Sequence, residues 1–297
     1  MKLERLILGT AGIGGVWGPV DPAASVETVL AALEHGIGAI DTAPAYAHAE
    51  TYVGEALRQW EGPVPAVSSK AGRLQGFTAY DGRYDYSRGA MLQSVGESLE
   101  KLKLPVLDVL FLHDPSQVPR QDFGHVVDVL REIKEMGLAK AIGLGGNPPE
   151  WAWPWLRDGA FDVLMEYNRL NACSTVAMET SLPESLSAGV RYYAASPLNM
   201  GALGGQFSAF TGNPPGWLPE ADIEAARRLH ALAQTECMEL RAMAHRFLLS
   251  LQFSFNIVIG PSNPQQLEAT LGDFAAGPLP QYLFEKILHY SKDTLPR

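Results

Sequence analysis

The chain has 297 residues, of which 46% are hydrophobic and 19% charged, the balance of a soluble globular protein with a sizeable core. Its formal net charge of −10, with no Lys/Arg run to oppose it, argues against a nucleic-acid backbone or an anionic membrane as partner, because both repel an acidic surface. Cys173 and Cys237 make neither a disulfide framework nor a metal-ligand spacing, and no signal peptide or membrane-length apolar run is present, so the expectation is a cytoplasmic, metal-free protein.

Along the chain, short apolar runs rich in β-formers alternate with longer helical patterns. Leu6 to Gly9 is the first run, with a helical stretch from Ser25 to Glu34 that stops at Gly36. Ala39 to Thr42 precedes helical Glu50 to Trp60, and Ala66 to Lys70 precedes Ser87 to Leu102. Leu107 to His113 is followed by Phe123 to Met136, and Ala141 to Leu144 by the Trp-rich Trp151 to Leu156. Val163 to Tyr167 leads to Pro183 to Ala188, and Val190 to Ala194 to the long pattern Ala221 to Ser250. Ile257 to Gly260 and helical Gln265 to Leu271 complete the series. Eight strand-then-helix units with no linker predict an α/β fold, a single (β/α)8 TIM barrel domain spanning residues 1–297. A doubly wound open sheet is the alternative, but it usually carries a Gly-rich phosphate loop opening a helix after its first strand. "GTAGIGG" has the glycines, yet Trp17, Pro19 and Pro22 follow, and no helix is expected there.

In such a barrel the reacting groups sit at the carboxyl ends of the strands. Asp41 ends the second run with Tyr46 in its loop, Lys70 ends the third, and His113 ends the fourth. Each alone has an ordinary explanation: a loop acid, a packing aromatic, a surface lysine, a core histidine. All four on adjacent strand ends point to proton transfer. A tyrosine with an ordinary pKa of about 10 exchanges protons poorly near neutrality, and a neighbouring ammonium lowers that value. An aspartate fixes the lysine, and a histidine orients the substrate oxygen. The set suits a carbonyl becoming an alcohol, or the reverse. His35, His48, His125, His230, His245 and His289 read as ordinary surface or core residues, Asp114 as a loop cap, and Trp151, Trp153 and Trp155 as packing.

The stretches "IDTAPAYAHAETYVGEALR", "VSSKAG", "LDVLFLHDP", "AIGLGGN", "ASPLNMGALGG" and "IVIGPSNPQQLEATL" resemble the aldo-keto reductase superfamily over nearly the whole chain. The resemblance makes Tyr46 the general acid/base, Lys70 its pKa-lowering partner, Asp41 the anchor of the lysine, and His113 the residue that orients the carbonyl. "GRYDYSRGAMLQSVGESLEKLKLPVLDVLFLHDP" and "MGALGG…GNPPGWLPEADI" are similar to the aldose 1-dehydrogenase branch, with pyridoxal dehydrogenases also close. This implies a small aldehyde, ketone or aldose as substrate and NAD or NADP as cofactor. A reductase of small carbonyls and a non-enzymatic cofactor-sensing subunit are the other readings.

Carried onto this sequence, the family's cofactor contacts fall on Asn147, Ser196, Pro197, Leu198, Gly201, Gly260, Ser262, Asn263 and Gln266. Three customary groups differ: Ala195 stands where a nicotinamide-stacking tyrosine is usual, Gly146-Asn147 where the amide-binding pair is Ser-Asn, and a usual glutamine falls near Leu164. NADP-using members place an Arg where this chain has Gln266, and an adenine-contacting Glu-Asn pair at Ala269-Thr270. The resemblance therefore implies a preference for NAD.

Overall fold

The computed structural model describes residues 3–292. Eight strands, β1 (Leu6–Gly9), β2 (Ala39–Asp41), β3 (Ala66–Ala71), β4 (Val109–His113), β5 (Ile142–Gly145), β6 (Val163–Tyr167), β7 (Arg191–Ala195) and β8 (Asn256–Ile259), form a closed barrel in chain order. Every pairing is parallel, and β1 closes the ring by pairing with β8 through Leu6–Ile257 and Leu8–Ile259. Both faces of each strand are covered, which is why the strands read as near-continuous apolar runs.

Side chains alternate between two compartments. Ile7, Val109, Phe111, Val163, Met165, Tyr193 and Val258 fill the barrel, and Leu6, Leu8, Leu110, Leu112, Leu164 and Tyr192 pack outward against helices. On that parity Asp41 follows inward Ala39 and His113 follows inward Phe111, while Lys70 pairs in register with Phe111. Alternation alone thus turns three of the four candidate groups into the mouth.

Helix boundaries follow local chemistry. The first long helix starts at Pro22 rather than Ser25, because Asp21 caps it by accepting the Ala23 N–H at 2.9 Å and proline suits the first turn. The predicted Ala221–Ser250 pattern is two helices, Glu220–Thr235 and Leu240–Ser250, broken where Cys237 adopts a left-handed φ of 49°. An amphipathic helix at Gln281–Lys292, which no motif announced, follows the last barrel unit and buries Leu283 and Ile287. "GTAGIGG" does open a helix, but only the single turn Ala11–Gly14, which Gly15 ends at φ 95°. Among the described residues no helix is long and apolar enough to cross a membrane, and no group of three or more His, Cys, Asp or Glu is arranged to hold a metal.

Helices Ala49–Gln59 and Arg88–Leu102 approach so closely at Gly54 that a Cβ there would run into the Lys101 carbonyl. Gly54→Ala is expected to lose stability by about 1–3 kcal/mol through overpacking, despite alanine's better helix propensity. Denaturant midpoints at unchanged m-value measure this, and an equal or higher midpoint would show that the two helices part freely.

Candidate active site

Asp41, at the end of β2, and Lys70, near the end of β3, are each 2% exposed. Lys70 Nζ donates to Asp41 Oδ2 at 2.6 Å and to the Thr42 carbonyl at 2.9 Å, and Ser68 Oγ donates to the other carboxylate oxygen at 2.8 Å. Removing either charge would strand its partner in a dry site, which typically costs about 3–5 kcal/mol. Burial lowers the Lys70 proton affinity, but the attraction of Asp41 and Tyr46 outweighs it, so the ammonium's pKa is raised and the charge persists.

Tyr46 lies in the loop after β2, whose conformation neighbouring loops fix. Its N–H donates to the Ala43 carbonyl at 3.0 Å, and its carbonyl accepts from Ala49 N–H at 2.9 Å. Ala47 donates its N–H to Gly76, and Gln75 Nε2 donates to the Ala47 carbonyl, tying this loop to the one after β3. On its other side Gly14 is packed so tightly that a Cβ would collide with the Tyr46 carbonyl. Gly12 likewise leaves room for Ser262, with a Cβ at 2.5 Å from its Oγ. The glycines after β1 therefore admit their neighbours rather than cradle a phosphate.

Lys70 Nζ sits 4.7 Å from the centroid of the Tyr46 ring, and His113 meets that ring edge-on at 5.8 Å. Tyr46 keeps a partly exposed edge, yet its depth in the mouth makes desolvation the largest influence on the phenol and raises its pKa. Lys70 opposes that rise, while Asp41 and Asp114 add to it. The lysine thus restrains an upward shift; it does not bring the phenol below its ordinary value in the free protein. His113 is 5% exposed, and burial, reinforced by the Lys70 and Arg73 charges, holds its pKa well below 6.5. It is a neutral imidazole, able to donate one N–H to a substrate oxygen.

The four residues singled out from sequence are thus one cluster. Of the cofactor-contact residues of the resemblance, all but Asn147 lie in the segments that follow β7 and β8, and Asn147 follows β5. After β7, Ser196, Asn199 and Met200 have φ of 59°, 48° and 56°, and Gly201 has 100°, so the chain turns sharply through a segment in which Pro197 is buried and Leu198 half-buried. Such clusters of strained backbone concentrate at functional sites. Gly260 is exposed just beyond β8, and Asn263 caps helix Pro264–Ala275 by accepting the Gln266 N–H at 2.9 Å. Gln266 Oε1 accepts the Ser262 N–H at 2.9 Å, leaving its NH2 available on an exposed side chain. Thr270, by contrast, is buried.

The departures from the family pattern gain physical content. Leu164 faces outward into the helix layer, whereas Val163 and Met165 of β6 face inward and Tyr167 follows on the same parity. Asn147 engages both ends of its amide with one residue: Nδ2 donates to the Tyr167 carbonyl at 3.2 Å, and Oδ1 accepts the Tyr167 N–H at 3.1 Å. Tyr167, 44% exposed, stands directly beside Ala195 in the β6–β7 register.

Sequence reasoning missed a second polar group on the β3–β4 side. Asp114 caps nothing with its side chain; it accepts from Tyr84 OH at 2.9 Å and pairs with Arg73 Nη1 at 3.3 Å. Tyr86 OH, stacked beside Tyr84, reaches the carbonyls of His113 and Asp114 at 3.1 and 3.2 Å. The available signal was position: Asp114 is next to His113, and Arg73 lies three residues past Lys70.

A profile of the Aldo/keto reductase family matches residues 5–291. L-galactose dehydrogenase of Arabidopsis thaliana is 27% identical over 278 residues, covering 90% of this chain and 83% of that protein. Pyridoxal 4-dehydrogenase of Microbacterium luteolum is 28% identical over 307 residues, covering 90% and 88%. A solved glycerol dehydrogenase of Gluconobacter oxydans superposes with a TM-score of 0.77 at 23% identity, covering 99% of this chain and 93% of that one. With the family match spanning almost every described residue of an eight-stranded parallel barrel, the chain belongs to the aldo/keto reductase family and is an NAD(P)-dependent oxidoreductase of carbonyl and alcohol groups.

Proposed function

We propose that the protein is an aldose 1-dehydrogenase that oxidises the anomeric hydroxyl of a free sugar to a lactone, with NAD preferred over NADP. The observation that carries the chemistry is the contact of the Tyr46 ring with the buried Lys70 ammonium on one side and the neutral His113 imidazole on the other. The nicotinamide, when bound, exchanges hydride with the reacting carbon. Tyr46 exchanges the proton at the oxygen: its phenolate accepts it in oxidation, and its phenol donates it in reduction. Neutral His113 donates a hydrogen bond to that same oxygen and sets its direction toward the phenol. Lys70 limits the rise of the phenol's pKa, and Asp41 with Ser68 holds the lysine in place. A ring hemiacetal already carries the oxidisable hydroxyl, so loss of hydride from carbon and of a proton to Tyr46 gives the lactone directly. The aldose assignment is supported by similarity to an L-galactose dehydrogenase across 90% of the chain.

The β8 segment fits an unphosphorylated adenosine ribose. Between Gly260 and Thr270 there is no lysine or arginine, and an exposed helix N-terminus offers neutral donors that include the Gln266 amide. Asn147 would contribute through Tyr167, whose backbone it holds, rather than through an unengaged amide.

Tyr46→Phe is expected to reduce turnover by at least about 10²-fold, the usual scale of general acid/base catalysis, with cofactor affinity nearly unchanged. In oxidation, which needs the phenolate, the wild-type rate should rise with pH. Lys70→Met removes the opposing cation, so the inflection should move to still higher pH, with circular dichroism confirming the fold. A Tyr46→Phe enzyme above a tenth of the wild-type rate, or an unmoved Lys70→Met profile, would remove these residues from the proton path.

Free aldoses are expected to exceed simple primary alcohols as substrates in kcat/KM. A panel of aldoses, pyridoxal and short alcohols, followed by nicotinamide absorbance, decides it. Turnover of pyridoxal with no aldose oxidised would replace the sugar reading with the one that the Microbacterium relative favours.

For the cofactor, a charged hydrogen bond to a 2′-phosphate is worth roughly 1.5–3 kcal/mol, so its lack should disfavour NADP by about 10- to 150-fold. Gln266→Arg should recover part of this at a small loss of stability, because Oε1 no longer accepts from Ser262. Equal use of both cofactors by the wild type would refute the preference.

A further inference from the structure

Asp114 occupies an unusual position. It follows His113 directly, and its backbone is left-handed at φ 53°, ψ 64°, a region uncommon outside glycine that aspartate enters more readily than most residues. Its N–H donates to the Gly145 carbonyl at 2.9 Å and its carbonyl accepts the Gln117 N–H at 2.8 Å, so the peptide is fixed on both sides. The side chain, freed from capping, is held by one oxygen only. Oδ2 takes both the Tyr84 hydroxyl and the Arg73 guanidinium. Arg73 is itself anchored by Nη2 donating to the Ala79 carbonyl at 2.8 Å. Oδ1 accepts no hydrogen bond among the described residues, and it lies 3.4 Å from where a Cβ at Gly146 would stand. Glycine there, at φ 137°, adds no side chain beside this oxygen.

The carboxylate also belongs to the residue next to His113 and lies near enough to Tyr46 for its charge to act there. Asp114 is among the charges that raise the Tyr46 pKa, and Arg73 among those that lower that of His113. Tyr167, at the end of β6, lies near enough to feel the charges of both Asp114 and Arg73. The side chains of Arg73 and Asp114 are 16% and 18% exposed, so the pair is sheltered yet reachable. An ionised carboxylate only accepts hydrogen bonds, so its free oxygen selects an O–H or N–H donor. Pairing with arginine fixes its direction and balances its charge, which suits an uncharged polyhydroxylated ligand.

We propose that Asp114, aimed by Arg73 and Tyr84, is a specificity-determining residue whose Oδ1 accepts a hydrogen bond from a substrate hydroxyl near the reacting carbon. This deepens the aldose reading and rests on the same site. A site built around such an acceptor discriminates strongly against an analogue lacking the hydroxyl, because the acceptor is then left without its donor.

The test compares kcat/KM for glyceraldehyde and propionaldehyde, which differ in hydroxyl groups, in wild type, Asp114→Asn and Tyr84→Phe. Asparagine tolerates the left-handed backbone, and Asp114→Gly serves as a second variant that accepts this φ without strain. Any change in the field at Tyr46 affects both aldehydes and cancels in the ratio. The wild type should favour glyceraldehyde, and Asp114→Asn should lower that ratio by about 10-fold or more, with Asp114→Gly lower still. Tyr84→Phe should lower it less, since Arg73 still aims the carboxylate. An unchanged ratio in both Asp114 variants overturns the proposal, as does a tenfold weaker cofactor Kd with the ratio intact, which would give Oδ1 to the cofactor instead. If wild type oxidises no aldose yet shows an Asp114-dependent glyceraldehyde preference, the aldose assignment fails and hydroxyl recognition stands.

Discussion

The site depends on an ammonium and a carboxylate held together in the dry mouth of the barrel. Taking Lys70 and Asp41 out of water is unfavourable for each alone, and their mutual attraction compensates only with short contacts and further hydrogen bonds. Those are present: Thr42 supplies a carbonyl to the lysine, Ser68 a hydroxyl to the aspartate, and Thr10 donates from both N–H and Oγ1 to the Asp41 carbonyl. Each of these groups belongs to the ends of β1, β2 or β3, so the pair and the strand register fix one another. The persistent charge acts to lower the pKa of both Tyr46 and His113. It restrains the upward shift of the phenol and pushes the imidazole toward neutrality, which in the proposed reaction leaves proton exchange to Tyr46 and hydrogen-bond donation to His113.

Close loop packing gives this electrostatic arrangement its geometry. Gly12 and Gly14, two residues apart, let the turn after β1 press against Ser262 on one flank and the Tyr46 loop on the other. The same turn therefore touches the segment proposed for adenosine binding and the loop carrying Tyr46. Displacement at either flank would be felt at the other, because neither glycine leaves space for a side chain. The loop after β3 adds the remaining constraint, through Gly76 and Gln75, and it also carries Arg73 and Tyr84.

The mouth is consequently divided. The β7–β8 side is built from glycines, a cap and neutral amides, whereas the β3–β4 side presents an ion pair beside the stacked Tyr84 and Tyr86. Neutral donors suit an extended ligand recognised largely by shape and backbone contact. An oriented carboxylate suits a small ligand rich in hydroxyls. Ala195 and Tyr167, adjacent in register, show how the division is adjusted: the aromatic stands on β6, pinned by Asn147, instead of on β7.

Much of this was legible in the chain alone. Alternating strand and helix patterns determined an eight-unit barrel because parallel strands buried on both faces must read as apolar runs, and period-two alternation then sends Asp41 and His113 inward. Helix starts were less legible where a cap such as Asp21 lies outside the apolar pattern, and the break at Cys237 carries no glycine or proline to mark it. The proximity of Asp41, Lys70 and His113 could be read from sequence because they sit at or near strand ends, where position in the element dictates position at the mouth, with Tyr46 following in the loop after β2. The Arg73–Asp114–Tyr84 group could not, since its residues lie in loops whose paths are set by contacts between distant segments. The same holds for the direction of the Tyr46 shift. Sequence places a cation beside the phenol, but only the depth of the folded mouth decides that desolvation outweighs it.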